Sequence, residues 1–177
     1  MLVMFFYFIK LGIIKSGDYM NENIAYEILE KYNVKYKKFE HKPLTTLEGN
    51  LKLVEGQQVK NLVLKNKKER IIYFVIIEES KHLNISELAA KLNEKKLSFL
   101  SEEKLFDYIG CHESAVTPLG LVYDKDHKVK VLIDSELNIE TTLGVHPFVN
   151  NITLNIAFND LLKIFDDLEV KYTYIPV

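Results

Sequence analysis

Two short stretches hold the residue types that could do chemistry. The first is Gly144-Val145-His146-Pro147-Phe148-Val149-Asn150-Asn151-Ile152-Thr153, which packs a glycine, an imidazole, a fixed-φ proline, amides and a hydroxyl close together. A loop of that kind presents polar groups from a rigid base, where binding chemistry concentrates; it can equally be a polar turn between two strands. The second is Lys60, near the start of Val59-Lys60-Asn61-Leu62-Val63-Leu64. A lysine there either runs its stem over apolar surface to water or stands as a cation in a cleft, binding a carbonyl, carboxylate or phosphate oxygen. Lys65, Lys67, Lys68 and Arg70 follow. They form a modest phosphate-binding rim or the solvated tip of a hairpin.

These residues need elements to hold them. Ile152, Leu154 and Ile156 alternate with Thr153 and Asn155, the pattern of a half-buried strand. Pro147 cannot donate to a ladder, so the segment before Asn150 is expected to be an exposed loop feeding that strand. Val59–Lys65 and Arg70–Ile77 read as two strands around a charged turn. The run Ile71-Ile72-Tyr73-Phe74-Val75-Ile76-Ile77 has no polar alternation, so it is expected to be central and covered on both faces. Further strands are expected over 34–39, over 129–133 and over 170–175.

Helices are expected after Asn21 or Asn23, after Thr45 or Thr46 up to Gly56, after Asn84, over 101–110 and over 160–168. Ala115–Tyr123 reads as a loop entering a strand. Helices and strands mix without a regular βαβ beat. The fold class is therefore α/β, one domain with a mixed, largely antiparallel sheet flanked by helices.

Composition narrows the function classes. A chain of 177 residues can bury a sizeable core, and 47% hydrophobic with 27% charged residues suits a globular protein. A net charge of −2 excludes a wholesale basic coat for nucleic acid and leaves room only for a local patch. The single cysteine, Cys111, cannot form an internal disulfide and fits a reducing cytoplasm as a small packed residue. The five histidines show no metal-ligand spacing, and there is no P-loop, GxGxxG or Gly-x-Ser-x-Gly. Neither a metal nor a cofactor is called for.

Residues 1–19 differ in composition from the rest. Met1–Ile14 is nearly all apolar but too short to span a bilayer, and it lacks the features of a signal peptide. Gly17-Asp18-Tyr19-Met20 can be encoded as GGAGATTATATG, a ribosome-binding string before a start codon. Residues 1–19 are thus expected to be an upstream extension, with the working domain spanning 20–177.

Several blocks resemble the YbaK/ProX family of aminoacyl-tRNA editing deacylases. They are His41-Lys42-Pro43-Leu44-Thr45-Thr46-Leu47-Glu48, Gly56-Gln57-Gln58-Val59-Lys60-Asn61-Leu62-Val63-Leu64 and Lys96-Leu97-Ser98-Phe99-Leu100-Ser101. Ser114-Ala115-Val116-Thr117-Pro118-Leu119-Gly120-Leu121 follows, and then Gly144-Val145-His146-Pro147 with Asn150 and Thr153. The blocks run in the family's order from about Asn21 to Ile175. The last looks most like the ProX subgroup, which resembles deacylases of alanyl-tRNA(Pro). Lys42, Gly49 and Val145 depart from the family's usual residues without removing a polar group assigned to catalysis.

The resemblance implies a fold of the YbaK type, a site without metal or cofactor, and a substrate that is an amino acid esterified to the terminal ribose of a tRNA. It makes Lys60 the catalytic residue and Asn61, Gly144, His146, Pro147, Asn150 and Thr153 substrate-binding. Lys60 would hold the substrate backbone or terminal nucleotide, and Gly144 would admit close approach of the aminoacyl group. His146 would orient the ribose or a water, while Asn150 and Thr153 would supply neutral hydrogen bonds. The implied partners are the alanylated acceptor end of tRNA(Pro) and prolyl-tRNA synthetase, in the cytoplasm, with no stable membrane association. Two alternatives stand beside this reading: a non-catalytic sensor of tRNA or amino acids on the same fold, and a cysteinyl-tRNA(Pro) deacylase.

Overall fold

The computed structural model describes residues 21–43 and 55–177. The upstream segment and the short helix expected after Thr45 or Thr46 lie outside the described residues. Helix α1 (Glu22–Lys31) begins at Asn21, whose side chain accepts from the Asn23 backbone N–H at 2.9 Å. Strand β1 (Tyr36–Glu40) follows, then β2 (Val59–Asn66), β3 (Ile72–Glu78), α2 (Ile85–Lys91), β4 (Leu97–Phe99) and α3 (Glu102–Ile109). Two 3₁₀ turns (Glu113–Ala115 and Pro118–Tyr123) lead into β5 (Val129–Asp134), β6 (Thr142–Val145), β7 (Ile152–Ala157), α4 (Phe158–Asp167) and β8 (Lys171–Ile175).

The strands divide between two sheets. One runs β1-β7-β6, antiparallel throughout. The other runs β4-β2-β3-β5-β8, with antiparallel pairs at β2/β3 and β2/β4 and parallel pairs at β3/β5 and β5/β8. The α/β class with a mixed, largely antiparallel arrangement therefore holds, distributed over two sheets. They meet where Gln57, just before β2, bridges Leu143 of β6.

Strand β3 shows why its sequence has no polar alternation. Ile72, Phe74 and Ile76 enter the main core with Ile28 of α1, Val131 of β5, Leu154 of β7 and Phe165 of α4. Tyr73, Val75 and Ile77 enter a second cluster closed by Leu88 and Ala89 of α2. Both faces are dry, so apolar side chains are favoured at every position. Cys111 is fully buried, and burial pushes its thiol up to about 12, which suits a packed residue rather than a nucleophile.

Three expectations change. Pro118–Tyr123 is a buried 3₁₀ turn and not the start of a strand; the Thr117 hydroxyl accepts from the Leu119 N–H, and Pro118 supplies the φ of its first turn. Gly144 and Val145 lie in a strand, β6, that ends two residues before Pro147, the residue without an N–H. Pro147 and Phe148 are buried, so the following loop is not the exposed one expected. Phe148 takes a left-handed φ of 62° and sets its ring edge-on to Tyr123, with centroids 6.3 Å apart. Its apolar side chain and that of Val145 turn inward to the main core, and the loop is drawn in with them.

Candidate active site

The apolar residues of β7 face the core, leaving Thr153 and Asn155 on the other side of the three-stranded sheet. Both are nonetheless buried, at 2% and 5% exposure, because other chain segments cover that face. The segment entering β2 is one cover. Gln57 N–H donates to the Thr142 carbonyl at 2.8 Å, and Gly144 N–H donates to the Gln57 carbonyl at 3.2 Å. The Gln57 side chain grips the Asn138 backbone through both its amide atoms, at 2.8 and 2.7 Å. The Asn155 side-chain amide donates to the Glu55 carbonyl.

His41 is the other cover. Its Nδ1 lies 2.9 Å from the Lys42 carbonyl and its Nε2 lies 2.9 Å from the Thr153 hydroxyl. His146 stands beside it with ring centroids 6.3 Å apart, and its own Nδ1 lies 2.9 Å from the Ile152 carbonyl. The structure thus brings Gly144, His146 and Thr153 together around His41. A Cβ added to Gly144 would stand 2.8 Å from the Thr153 methyl and 3.6 Å from the Gln58 side-chain oxygen. Only glycine lets the Thr153 methyl approach β6 so closely, whereas the Gln58 oxygen lies at ordinary contact distance.

Gln58 also links this cluster to Lys60. Its carbonyl accepts from the Glu79 N–H at 3.0 Å, continuing the β2/β3 ladder by one step. Strand alternation sends Gln58 and Lys60 to the same side. The half-buried Lys60 ammonium donates to the Glu79 carbonyl at 2.8 Å, which uses one of its three hydrogens and fixes its position. Asn61 departs from the expected grouping. It pairs with Ile76 rather than Ile77, so it projects to the opposite face from Lys60. There its amide donates to the Val116 carbonyl at 3.1 Å and ties β2 to the chain before the second 3₁₀ turn. Pro147 and Asn150 lie in the loop between β6 and β7, the first buried and the second half-buried.

Of the proposed phosphate contacts, Lys67, Lys68 and Arg70 are exposed on the β2–β3 turn. Lys65 is engaged with Glu69 at 2.7 Å, and Glu69 also meets Lys104 at 3.2 Å. Sequence reasoning missed His41, Gln58 and Asn155 as site residues. The polar Asn155 in phase with Thr153 was the available signal, and His41 gave only a turn signal with Pro43.

Burial is the main cause that holds His146 below the ordinary histidine value of 6.5; the Ile152 carbonyl opposes it, and the neighbouring His41 adds to it. Folded protein therefore resists protonation there more than unfolded chain does. The stability this contributes is full above about pH 6.5 and is lost as pH falls below it. His146→Asn, which can keep a donor near the Ile152 carbonyl but does not titrate, is expected to flatten the loss of stability between pH 7 and 5. Denaturant titrations of both proteins at each pH check this; parallel curves would contradict it.

The profile of the aminoacyl-tRNA editing domain family matches residues 41–164. The chain belongs to the aminoacyl-tRNA editing domain family. It is 33% identical over 139 residues to the prolyl-tRNA editing protein ProX of Acetoanaerobium sticklandii, covering 77% of this chain and 85% of that protein. It is 30% identical over 148 residues to the prolyl-tRNA synthetase associated domain-containing protein 1 of Danio rerio, covering 81% and 80%. Among solved structures, the hypothetical protein APE2540 superposes with a TM-score of 0.64 at 16% identity, over 84% of this chain and 95% of that one. A candidate trans-editing enzyme for prolyl tRNA synthetase superposes at 0.63 and 15% identity, over 86% and 94%. These two structures share the fold. As a member of the family this editing domain is a hydrolase of the aminoacyl ester. No helix among the described residues is long and apolar enough to cross a membrane.

Proposed function

We propose that this editing domain acts in trans in the cytoplasm on mischarged tRNA(Pro), and that its substrate is Ala-tRNA(Pro). The observation that carries this reading is the polar cluster of Gly144, His146, Thr153 and His41, with Gln58 against Gly144 and a fixed lysine cation two residues further along β2, in a chain whose relative is named for prolyl-tRNA editing. An aminoacyl ester is already activated. Its hydrolysis needs orientation, a placed water and a positive group near the developing oxyanion, and it can proceed without a nucleophilic triad.

In this scheme Lys60 presents its ammonium to an oxygen of the substrate, and Gly144 keeps the floor low under the aminoacyl group. His146, Asn150 and Thr153 supply neutral hydrogen bonds, Pro147 shapes the loop, and Asn61 holds β2 against Val116. Discrimination follows from size. A synthetase pocket built for proline rejects the smaller alanine by only about 1–3 kcal/mol, so a second site that admits only the smaller residue is needed. Prolyl-tRNA synthetase is then the enzyme whose errors this domain removes. Incubation with Ala-, Cys- and Pro-charged tRNA(Pro), following ester loss, tests the proposal. Rapid loss of alanine alone is expected; faster loss of cysteine would move the assignment to that substrate, and no loss of any would remove the enzymatic reading.

Binding of the tRNA is expected to be weak and salt-sensitive, because the β2–β3 turn offers only Lys67, Lys68 and Arg70 with Lys65 already engaged by Glu69. Two or three phosphate contacts give a log–log salt slope of about −2, or roughly tenfold weaker binding between about 50 and 200 mM salt. Replacing Lys67 and Lys68 by Glu is expected to lower affinity and flatten that slope. Filter binding across a salt series measures it, and a slope of zero in the parent protein would rule the patch out.

A further inference from the structure

The two histidines over β7 have their hydrogen positions dictated by backbone. A carbonyl oxygen can only accept, so the Lys42 carbonyl at 2.9 Å from His41 Nδ1 places the ring hydrogen on Nδ1. In the neutral ring Nε2 is then a bare acceptor, and the Thr153 hydroxyl 2.9 Å away must donate to it. A hydroxyl has one hydrogen. With that hydrogen committed to His41, Thr153 offers any further partner only its lone pairs. The same logic holds for His146, whose Nδ1 faces the Ile152 carbonyl at 2.9 Å and whose Nε2 is thereby an acceptor. Thr153 is 2% exposed and lies against Gly144, so its orientation is set by packing and not by bulk water.

We propose that His41 is a positioning residue that turns Thr153 into an obligate acceptor, so that Thr153 Oγ1 and His146 Nε2 together bind a hydrogen-bond donor, the α-amino group of the aminoacyl moiety. The proposal rests on the aminoacyl-ester reading of this site and adds to it the polarity of recognition. Lys60 supplies donors for ester or phosphate oxygens, and the His41–Thr153–His146 group supplies acceptors. A substrate with a carbonyl and an adjacent amine is matched at both ends. A hydroxyl free to rotate would satisfy either polarity and discriminate less.

The test uses binding, so it does not depend on turnover. Two non-hydrolysable probes are compared by calorimetry: adenosine carrying alanine through a 3′-amide, and its propionyl counterpart, which lacks the amine. The parent protein is expected to prefer the alanyl probe by tenfold or more. Thr153→Val and His41→Phe are each expected to remove the preference, and the double variant to be no worse than either alone. His41→Gln, whose side-chain oxygen can still accept from Thr153, is expected to retain most of it. Nitrogen-15 spectra of the imidazoles are expected to show both rings as the Nδ1–H tautomer, with the His41 Nε2 resonance moving in Thr153→Val. Equal affinity for the two probes, no binding of either, multiplicative losses in the double variant, or Nε2–H tautomers would each overturn the proposal. Probe preference without ester hydrolysis by the parent would leave it standing and remove the deacylase reading instead.

Discussion

Lys60→Ala is expected to lower the rate of Ala-tRNA(Pro) hydrolysis by about 10²–10³ while leaving the fold intact, the cost typical of losing one fixed donor at a developing oxyanion. The geometry argues for both halves of that result. Lys60 is held in β2 by backbone pairing with Ile77, which alanine preserves. Its ammonium is anchored on the Glu79 carbonyl at 2.8 Å, so the charge is aimed rather than mobile. Removing one half-buried hydrogen bond and part of an aliphatic stem costs about 1 kcal/mol of stability. Lys171→Ala, at an exposed position of the edge strand β8, is the control for loss of a positive charge alone. Single-turnover ester hydrolysis at matched thermal stability decides the matter. Equal rates for Lys60→Ala and the parent would remove Lys60 from the mechanism.

Gly56→Ala is expected to damage both stability and activity. Gly56 has φ +83°, a conformation that costs an L-residue about 1–2 kcal/mol. The added Cβ would also stand 2.3 Å from the Thr142 hydroxyl oxygen, 2.7 Å from the Thr142 carbonyl and 2.9 Å from the Asn155 amide nitrogen. The hydroxyl can rotate away, but the carbonyl cannot, because it accepts from Gln57 N–H in the bridge between the sheets. The segment Glu55–Gln58 must therefore lift from β6. Strain and overpacking of this kind cost about 2–4 kcal/mol, or on the order of 5–15 °C in melting temperature for a domain of this size. Lifting the segment also displaces Gln58 from Gly144, so hydrolysis is expected to fall with stability. Calorimetry and the ester assay measure the two, and a melting temperature within 1–2 °C of the parent would contradict the account.

Much of the architecture is written in local pattern. The uninterrupted apolar run of β3 announces a strand covered on both faces, and the alternation of Ile152, Leu154 and Ile156 announces which face of β7 enters the main core. Asn21 and Asn84 announce the starts of α1 and α2, since a side-chain oxygen can satisfy an unpaired N–H two or three residues on. Lys60, Gly144 and His146 stand out in sequence because a charge beside an apolar strand, or a glycine and imidazole beside a proline, is locally unusual.

What the sequence alone left undecided needed contacts between residues far apart in the chain. Thr153 looks like an ordinary polar strand residue until His41, separated from it by 112 positions, caps its hydroxyl. Asn61 reads as the neighbour of Lys60, yet pleating sends it to the opposite face, where it holds Val116. The division into two sheets depends on Gln57 meeting Leu143, and β6 is four residues whose own pattern carries no strand signal. The sequence predicts an exposed loop after it because Pro147 cannot donate to a ladder. It is instead drawn inward by Val145 and Phe148, since burying two apolar side chains outweighs the preference of the polar residues around them. Residue type and spacing determined which groups this protein could use; the packing of one sheet on another decided which of them meet, which hydrogens they carry and which way they point.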